Sequence, residues 1–267
     1  MQRRKMALIL LFCWLFSMIS GCRAEQPAAD VFAPSSSAPP HSASASSSGT
    51  VPTVPPPRKM VVCIDAGHQQ SPIWEREPIG PGATETKAML SSGTQGVSTD
   101  IPEYQLNLEV ALLLEQELIR RGYEVVMIRR TNDCPLSNAQ RAKIANESGA
   151  DLFIRIHANG AEDPSVSGML CCAPSRDNPY LSRQVLEDSI RLSQTIVEHF
   201  CAATGANDQG IYYVDNMTGI NWCQIPVTIV EMGYMSNPAE DEAMATHQYR
   251  AKMVEGISNG IDAFLKE

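Results

Sequence analysis

The chain of 267 residues lacks two features that would each indicate a common function. No two cysteines have C-x-x-C spacing, which argues against a zinc ribbon and a thioredoxin-type redox motif. No basic stripe is present either, since the net charge is −9 and the pI is about 5.1. This acidic balance excludes nucleic acid as an expected partner.

Beyond the N-terminus, the chain also lacks a long apolar run. Residues 3–5 are basic and precede the apolar stretch Ala7–Ile19, which is too short for a comfortable membrane span. This pattern is typical of a secretory signal. Ile19–Cys22 resembles a bacterial lipobox, so we predict a lipoprotein signal peptide at residues 1–22 with lipid on Cys22. Ordinary cleavage nearby and an uncleaved anchor helix are the alternatives, and all three place the remaining chain outside the cytoplasm.

Residues 23–58 consist mainly of Ser, Ala and Pro. Such a segment has little apolar surface to bury, so we expect a disordered linker. As a coil it spans about 30–36 Å, enough for an anchored domain to sample its surroundings.

Residues 59–267 are predicted to form one catalytic domain in which strands and helices alternate. This order implies an α/β fold with a mainly parallel, twisted sheet and helices on both faces. Apolar runs predict strands at 60–64, 124–129, 152–156 and 227–230. Periodic apolar residues and capping signals predict helices at 103–121, 137–149 and 186–205, and two more after Asn237.

Six cysteines remain in this domain, because Cys13 is expected to leave with the signal and Cys22 is assigned to the lipid. An exported location permits disulfides, but six cysteines allow 15 complete pairings and the sequence does not choose among them. Reduced, small core residues are the alternative.

Three of the predicted strands lead into a residue that can bind a metal or transfer a proton. These residues are His68, His157 and Glu231. Ligands of open α/β sheets bind at the carboxyl ends of strands, so these side chains are expected to converge. Each histidine alone has a simpler explanation, a hydrogen bond to a loop, but two at one sheet edge favour a metal. His199 and His247 lie in polar helical stretches and are predicted to be solvated.

A hydrolytic zinc site often uses two histidines and one glutamate, with the fourth position left to water. The third ligand could be Glu75, Glu77, Glu85 or Glu103. Glu103 is favoured because it begins a helix packed on the sheet, although many first-turn glutamates only complement the helix dipole.

Four motifs, in order, resemble the zinc-dependent N-acetylmuramoyl-L-alanine amidases of the amidase 3 type. They are Ile64–His68 (IDAGH), Glu103 within Glu-x-x-x-Asn-Leu, Ile156–Asn159 (IHAN) and Pro226–Asn237 (PVTIVEMGYMSN). The resemblance covers essentially the whole domain. It implies that zinc is bound by His68, Glu103 and His157, and that Glu231 is the catalytic base.

Two positions depart from the family pattern. Gln69 and Gln70 stand where the family usually has glycines, and 35 positions separate His68 from Glu103, more than is usual. The surplus, residues 69–102, contains little predicted core material. It is interpreted as a mobile segment near the cleft: a substrate-gripping loop, a regulatory lid or inert decoration.

The expected function is hydrolysis of the amide between N-acetylmuramic acid and L-alanine in peptidoglycan, by a lipid-anchored monomer facing the cell wall. One alternative is a zinc amidase or peptidase that cuts another wall amide. A second is a non-catalytic wall-binding module. A third is a hydrolase with a nucleophilic cysteine, for which Cys171, Cys172 and Cys223 are the candidates.

Overall fold

The structure is a computed structural model that describes residues 58–266. The predicted signal peptide, the lipidation site Cys22 and all but the last residue of the predicted linker lie outside the described residues. Within residues 58–266, no helix has the length and apolar character that crossing a membrane requires.

The described chain alternates strands and helices, as predicted. The strands are β1 Val61–Ala66, β2 Ile73–Pro78, β3 Thr86–Leu90, β4 Glu124–Met127, β5 Leu152–Asn159, β6 Met169–Ala173, β7 Asp208–Tyr213 and β8 Val227–Tyr234. The helices are α1 Glu103–Arg120, α2 Asn138–Glu147, α3 Arg183–Thr204, α4 Thr218–Asn221, α5 Pro238–Ala245 and α6 His247–Lys266.

Six strands form one sheet in the order β4-β1-β5-β8-β6-β7. The strands β4, β1, β5 and β8 are parallel, β6 runs antiparallel to β8, and β7 is parallel to β6. The mainly parallel α/β sheet is therefore confirmed, with one reversal between β8 and β6. The carboxyl ends of β1, β5 and β8 meet at one edge.

Helices cover both faces of the sheet because its central strands alternate two sets of apolar side chains. Val62, Ile64 and Ile154 pack with residues of α1, α3 and α6 in one core. Phe153 and Ile229 point the other way and pack with α2 and α4. Each such side chain, when fully buried, contributes about 1.5–3 kcal/mol to the stability of the sheet.

Local signals place the helix ends close to the predicted positions. Ser137 forms a capping box with Gln140 at the start of α2. Gly205 ends α3 in the left-handed conformation, and the Asn237 side chain accepts hydrogen bonds from the first turn of α5. These side chains satisfy backbone groups that the helix itself cannot pair.

The sequence did not predict β6, β7 or the antiparallel hairpin of β2 and β3. The hairpin lies in residues 69–102, where Ile79 and Leu90 are buried. The expectation that this segment contains little core material is therefore wrong at these two positions. The six cysteines of residues 58–266 are all free. The alternative of reduced core residues describes the four buried ones, whereas Cys134 and Cys201 are only partly buried.

Candidate metal centre

The candidate site is built at the carboxyl edge of β1, β5 and β8. His157 on β5 is the register partner of Glu231 on β8, so the two side chains share one face of the sheet. The N–H of Gly67 donates to the carbonyl of Ile156 at 2.8 Å and extends the pairing of β1 towards His68. The sheet thus brings together the three side chains that the strand-end argument predicted.

His68 turns into the site through an uncommon backbone conformation. Its φ is 59°, in the left-handed region that side chains other than glycine rarely occupy. Its Nδ1 donates to the carbonyl of Ser91 at 2.9 Å. This bond fixes the tautomer in which Nε2 carries the lone pair, so Nε2 is the atom available to a metal.

Glu103 lies between the two histidines, and the other three candidate glutamates do not. Its Oε1 is 3.2 Å from His68 Nε2 and 3.1 Å from His157 Nδ1. Glu75 and Glu85 are exposed. Glu77 is buried, but it accepts hydrogen bonds at the start of α2, from Ser137 and from the backbone of Ala139. Among the four, the choice of Glu103 therefore agrees with the geometry.

Two glycines allow these side chains to approach. A Cβ on Gly67 would lie 2.2 Å from His157 Nε2, so the imidazole packs directly on the backbone there. A Cβ on Gly93 would lie 2.6 Å from Glu103 Oε2, and the φ of Gly93 is 80°. Any larger residue at either position would displace the imidazole or the carboxylate.

The titration of the three side chains is strongly coupled. Burial lowers the pKa of His157 to about 4, which keeps this imidazole neutral at pH 7. Burial also opposes the charged forms of His68 and Glu103, but the attraction between these two outweighs it. The pKa of His68 is raised and that of Glu103 is held well below its ordinary value.

These donors fit a zinc ion. The donor atoms of His68, Glu103 and His157 all lie within 4.8 Å of one another. Tetrahedral zinc with N and O ligands holds them about 3.3 Å apart, close to the two separations from Glu103. Besides its contact with Glu103, His157 has no competing partner, because its Nε2 is buried without a hydrogen bond among the described residues.

Glu231 lies beside this group but is not among its donors. Within residues 58–266 its carboxylate makes no hydrogen bond or ion pair, and Arg155 pairs with Asp65 instead. Burial, together with the nearby charge of Glu103, raises the pKa of Glu231 to about 8. The site therefore contains two carboxyl groups whose pKa values are shifted in opposite directions: Glu103 stays charged, as a metal ligand must, whereas Glu231 can exchange a proton near neutral pH.

Buried charges support the sheet edge from behind. Asp65, on β1, pairs with Arg141 of α2 at 2.7 Å and with Arg155 of β5 at 2.9 Å, and all three are nearly inaccessible to solvent. Although burial acts to raise it, these two cations hold the pKa of Asp65 at about 2. The network ties the ends of β1 and β5 to α2.

Two cavities adjoin the candidate centre, and His68, His157 and Glu231 line both. The first, of about 540 Å³, is bounded by polar residues that include Thr94, Asn159, Glu162 and Ser236. The second, of about 390 Å³, is lined by residues of β3 and α4. Because each cavity also has lining residues of its own, the candidate centre is shared by two distinct spaces.

Several positioning residues were not identified from the sequence. The Asn107 amide donates to Glu103 Oε1 at 3.1 Å and to the Gly67 carbonyl at 3.3 Å. The Thr94 N–H donates to Glu103 Oε2 at 2.9 Å. Asn107 belongs to the Glu-x-x-x-Asn-Leu motif, and its i, i+4 spacing from Glu103 was the available signal. Thr94 acts through its backbone, for which no sequence signal exists.

The histidines and cysteines outside the site behave differently from these ligands. His247 is exposed and His199 is partly buried, donating from its Nδ1 to the carbonyl of Thr195. Burial raises the pKa of the Cys172 and Cys223 thiols to about 12. A thiol with so high a pKa is a poor nucleophile at neutral pH, which disfavours the cysteine-hydrolase alternative.

The fold and the converging donors define an α/β enzyme with a candidate metal centre at the edge of its sheet. The chain belongs to the Amidase_3 family, because the family model described as N-acetylmuramoyl-L-alanine amidase matches residues 62–263. The predicted family and its amidase activity are thereby confirmed.

Individual relatives agree with this assignment. The chain is 28% identical over 215 residues to the N-acetylmuramoyl-L-alanine amidase Rv3717 of Mycobacterium tuberculosis, covering 77% of this chain and 86% of that protein. It is 24% identical to the amidase AmiA of Salmonella typhimurium, over 77% of this chain and 76% of the relative. The crystal structure of the amidase Ami1 from Mycobacterium smegmatis superposes with a TM-score of 0.70 at 26% identity, covering 78% of this chain and 97% of that one.

Proposed function

We propose that the chain hydrolyses the amide between N-acetylmuramic acid and L-alanine in peptidoglycan, using zinc held by His68, Glu103 and His157 and using Glu231 as the base. The observation that carries the proposal is the convergence of the three donor atoms within 4.8 Å. Family membership supports the bond that is cut.

When bound, zinc provides an activated water nucleophile at neutral pH and polarises the amide carbonyl. The chain's own contribution is to hold the donors in place. The Ser91 carbonyl sets the tautomer of His68, and Asn107 and the N–H of Ala158 orient the Glu103 carboxylate. Such supporting hydrogen bonds commonly change metal affinity or activity by about 10–100-fold.

Glu231 moves the proton. Its carboxylate is free of protein partners within residues 58–266 and lies on the same face of the sheet as His157. A cation held by the donors lowers its pKa from about 8, because the cation stabilises the charged carboxylate. A carboxyl group tuned to this range accepts a proton from water and returns it to the departing amine.

The proposal includes the position of the enzyme in the cell. Residues 1–22 act as a lipoprotein signal, Cys22 carries the lipid, and residues 23–58 tether a monomeric domain to the membrane, facing the wall. The lipobox-like Ile19–Cys22 supports this arrangement. Replacing Cys22 with Ser should move the protein from the membrane to the soluble fraction, and labelled fatty acid that never enters the natural chain would refute it.

Digestion of purified peptidoglycan tests the proposed reaction. The zinc-loaded protein should release peptide stems with a new N-terminal L-alanine amine, and a chelator should stop the release. A new amine on another residue would show that a different wall amide is cut. Wall binding without any new amine would show a non-catalytic module.

A further inference from the structure

The second cavity beside the candidate metal centre contains two cationic side chains. Lys87 on β3 and Arg155 on β5 line it, together with the apolar residues Ala88, Leu90, Met217 and Ile229. The first cavity has no lysine or arginine in its lining and carries Glu162. The chain as a whole has a net charge of −9, so the positive charge in this cavity does not follow from the overall charge of the protein.

Arg155 presents a hydrogen-bond donor to this cavity. Its Nε donates to Asp65 at 3.0 Å and its Nη2 donates to Asn138 at 2.7 Å. Its Nη1 has no partner within the described part of the chain, although Arg155 is only 3% exposed. A Cβ on Gly219 would lie 1.7 Å from Nη1, so this nitrogen lies against the backbone of the cavity wall.

Lys87, on β3, contributes the second charge to the lining of this cavity. It is partly buried and forms no ion pair among the described residues. Glu231, at the end shared with the candidate metal centre, is the one acidic side chain in the lining. Arg155 Nη1 and the Lys87 ammonium are both without a protein partner among the described residues, and an anion bound here would accept a charge-assisted hydrogen bond from each.

The substrate chemistry indicates which anion this is. In N-acetylmuramoyl-L-alanine, the lactyl carboxyl of the sugar is consumed in the amide, so the sugar portion is neutral. The peptide portion retains its free carboxylates. The charge difference between the two cavities therefore matches the charge difference between the two halves of the substrate.

We infer that Lys87 Nζ and Arg155 Nη1 bind a carboxylate of the peptide portion and so direct the peptide into the second cavity and the sugar into the first. This inference rests on the proposed function. Lys87 belongs to residues 69–102, so the additional segment acts as a determinant of specificity through this contact.

The test uses the zinc-loaded protein and two substrates: N-acetylmuramoyl-L-alanyl peptides of one sequence, with carboxylates either free or converted to carboxamides. The natural chain should prefer the free form. Lys87→Gln should lower that preference, measured as the ratio of kcat/KM values, by about tenfold, the effect of one charge-assisted hydrogen bond. Lys87→Arg should restore it, and Lys252→Gln, an exposed lysine on α6, should leave it unchanged.

Arg155→Lys keeps a cation opposite Asp65 but removes Nη1, and it should lower the same ratio in protein whose thermal unfolding shows that it is folded. An equal fall in kcat/KM for both substrates with Lys87→Gln, or a natural chain without preference, would overturn the inference while leaving the amidase activity intact. Failure of the natural chain to cleave either substrate would instead overturn the proposed function, and the inference with it.

Discussion

The sheet edge that carries His68, His157 and Glu231 differs from the segment of residues 69–102 in how it holds its side chains. Behind the sheet edge, Asp65 and its two arginine partners are buried. In the β2–β3 hairpin, β2 is largely exposed, with Trp74 at 66% exposure, while β3 is mostly half-buried, and the hairpin docks on α2 through Glu77. The sheet edge is held by an extensive core, whereas the segment is held by polar contacts and by two buried apolar side chains, Ile79 and Leu90.

The two regions contribute different groups to the candidate site. The sheet and α1 supply the side chains that bind and react, in directions set by buried packing. The segment 69–102 supplies backbone groups that orient them: the Ser91 carbonyl to His68 and the Thr94 N–H to Glu103. These two hydrogen bonds argue against the interpretation of this segment as inert decoration, and its deletion is expected to disturb the zinc ligands as well as the cleft.

The largest expected effect follows removal of a ligand at the sheet edge. His68→Ala and His157→Ala should each abolish zinc retention and activity, because two protein ligands do not hold a hydrolytic zinc ion. Metal analysis and wall digestion measure both. His247→Ala, which alters an exposed histidine on α6, is the matched control and should behave as the natural chain. Full zinc occupancy in both ligand variants would remove these residues from the site.

The next effect concerns the buried charges behind that edge. Asp65→Asn leaves Arg141 and Arg155 without their anion and should lower the free energy of unfolding by about 3–5 kcal/mol. Urea denaturation at neutral pH measures this loss. A loss below about 1 kcal/mol would mean that Asp65 does not hold the two strands to α2.

The same residue predicts a dependence on pH. The pKa of Asp65 is about 2 in the folded chain and near 3.9 when unfolded, so its stabilisation is present above about pH 4 and is lost as the pH falls towards 2. Urea titrations of the natural chain and Asp65→Asn across this window should therefore converge at low pH. Parallel curves would contradict the lowered pKa.

A smaller effect is expected in the docked hairpin. Glu77→Ala removes the acceptor of the Ser137 hydroxyl and the Ala139 N–H, and should lower stability by about 1–3 kcal/mol and raise KM, with zinc retained. Glu75→Ala, on an exposed position of the same strand, should change neither. Equal effects of the two substitutions would show that Glu77 does not anchor the hairpin.

The sequence predicted the sheet edge well because its signals are local. Continuous apolar runs mark the buried parallel strands, and their ends carry His68, His157 and Glu231. Capping residues such as Ser137 mark helix ends by chemistry within one turn. Parallel topology then gathers distant residues without any knowledge of loops.

The hairpin, the antiparallel β6 and the arginine network were missed because they depend on long-range pairing. The strands of the hairpin are short and half-exposed, and their polar residues resemble a loop. Arg155 does indicate the network, because a charged residue inside the apolar run Leu152–Ile156 requires a buried partner. Its partner, Asp65, is adjacent only in the folded sheet.

The most direct test of the account compares two conservative substitutions of its two carboxylates. Glu231→Gln should retain zinc but lower kcat by about 10²–10⁴, because it keeps the shape of the side chain and removes the proton acceptor. Glu103→Gln should instead weaken zinc binding, and excess zinc should partly restore its activity. Bound zinc and turnover, measured for both variants side by side, give the answer. Loss of zinc from Glu231→Gln with full retention in Glu103→Gln would contradict the assignment of ligand and base.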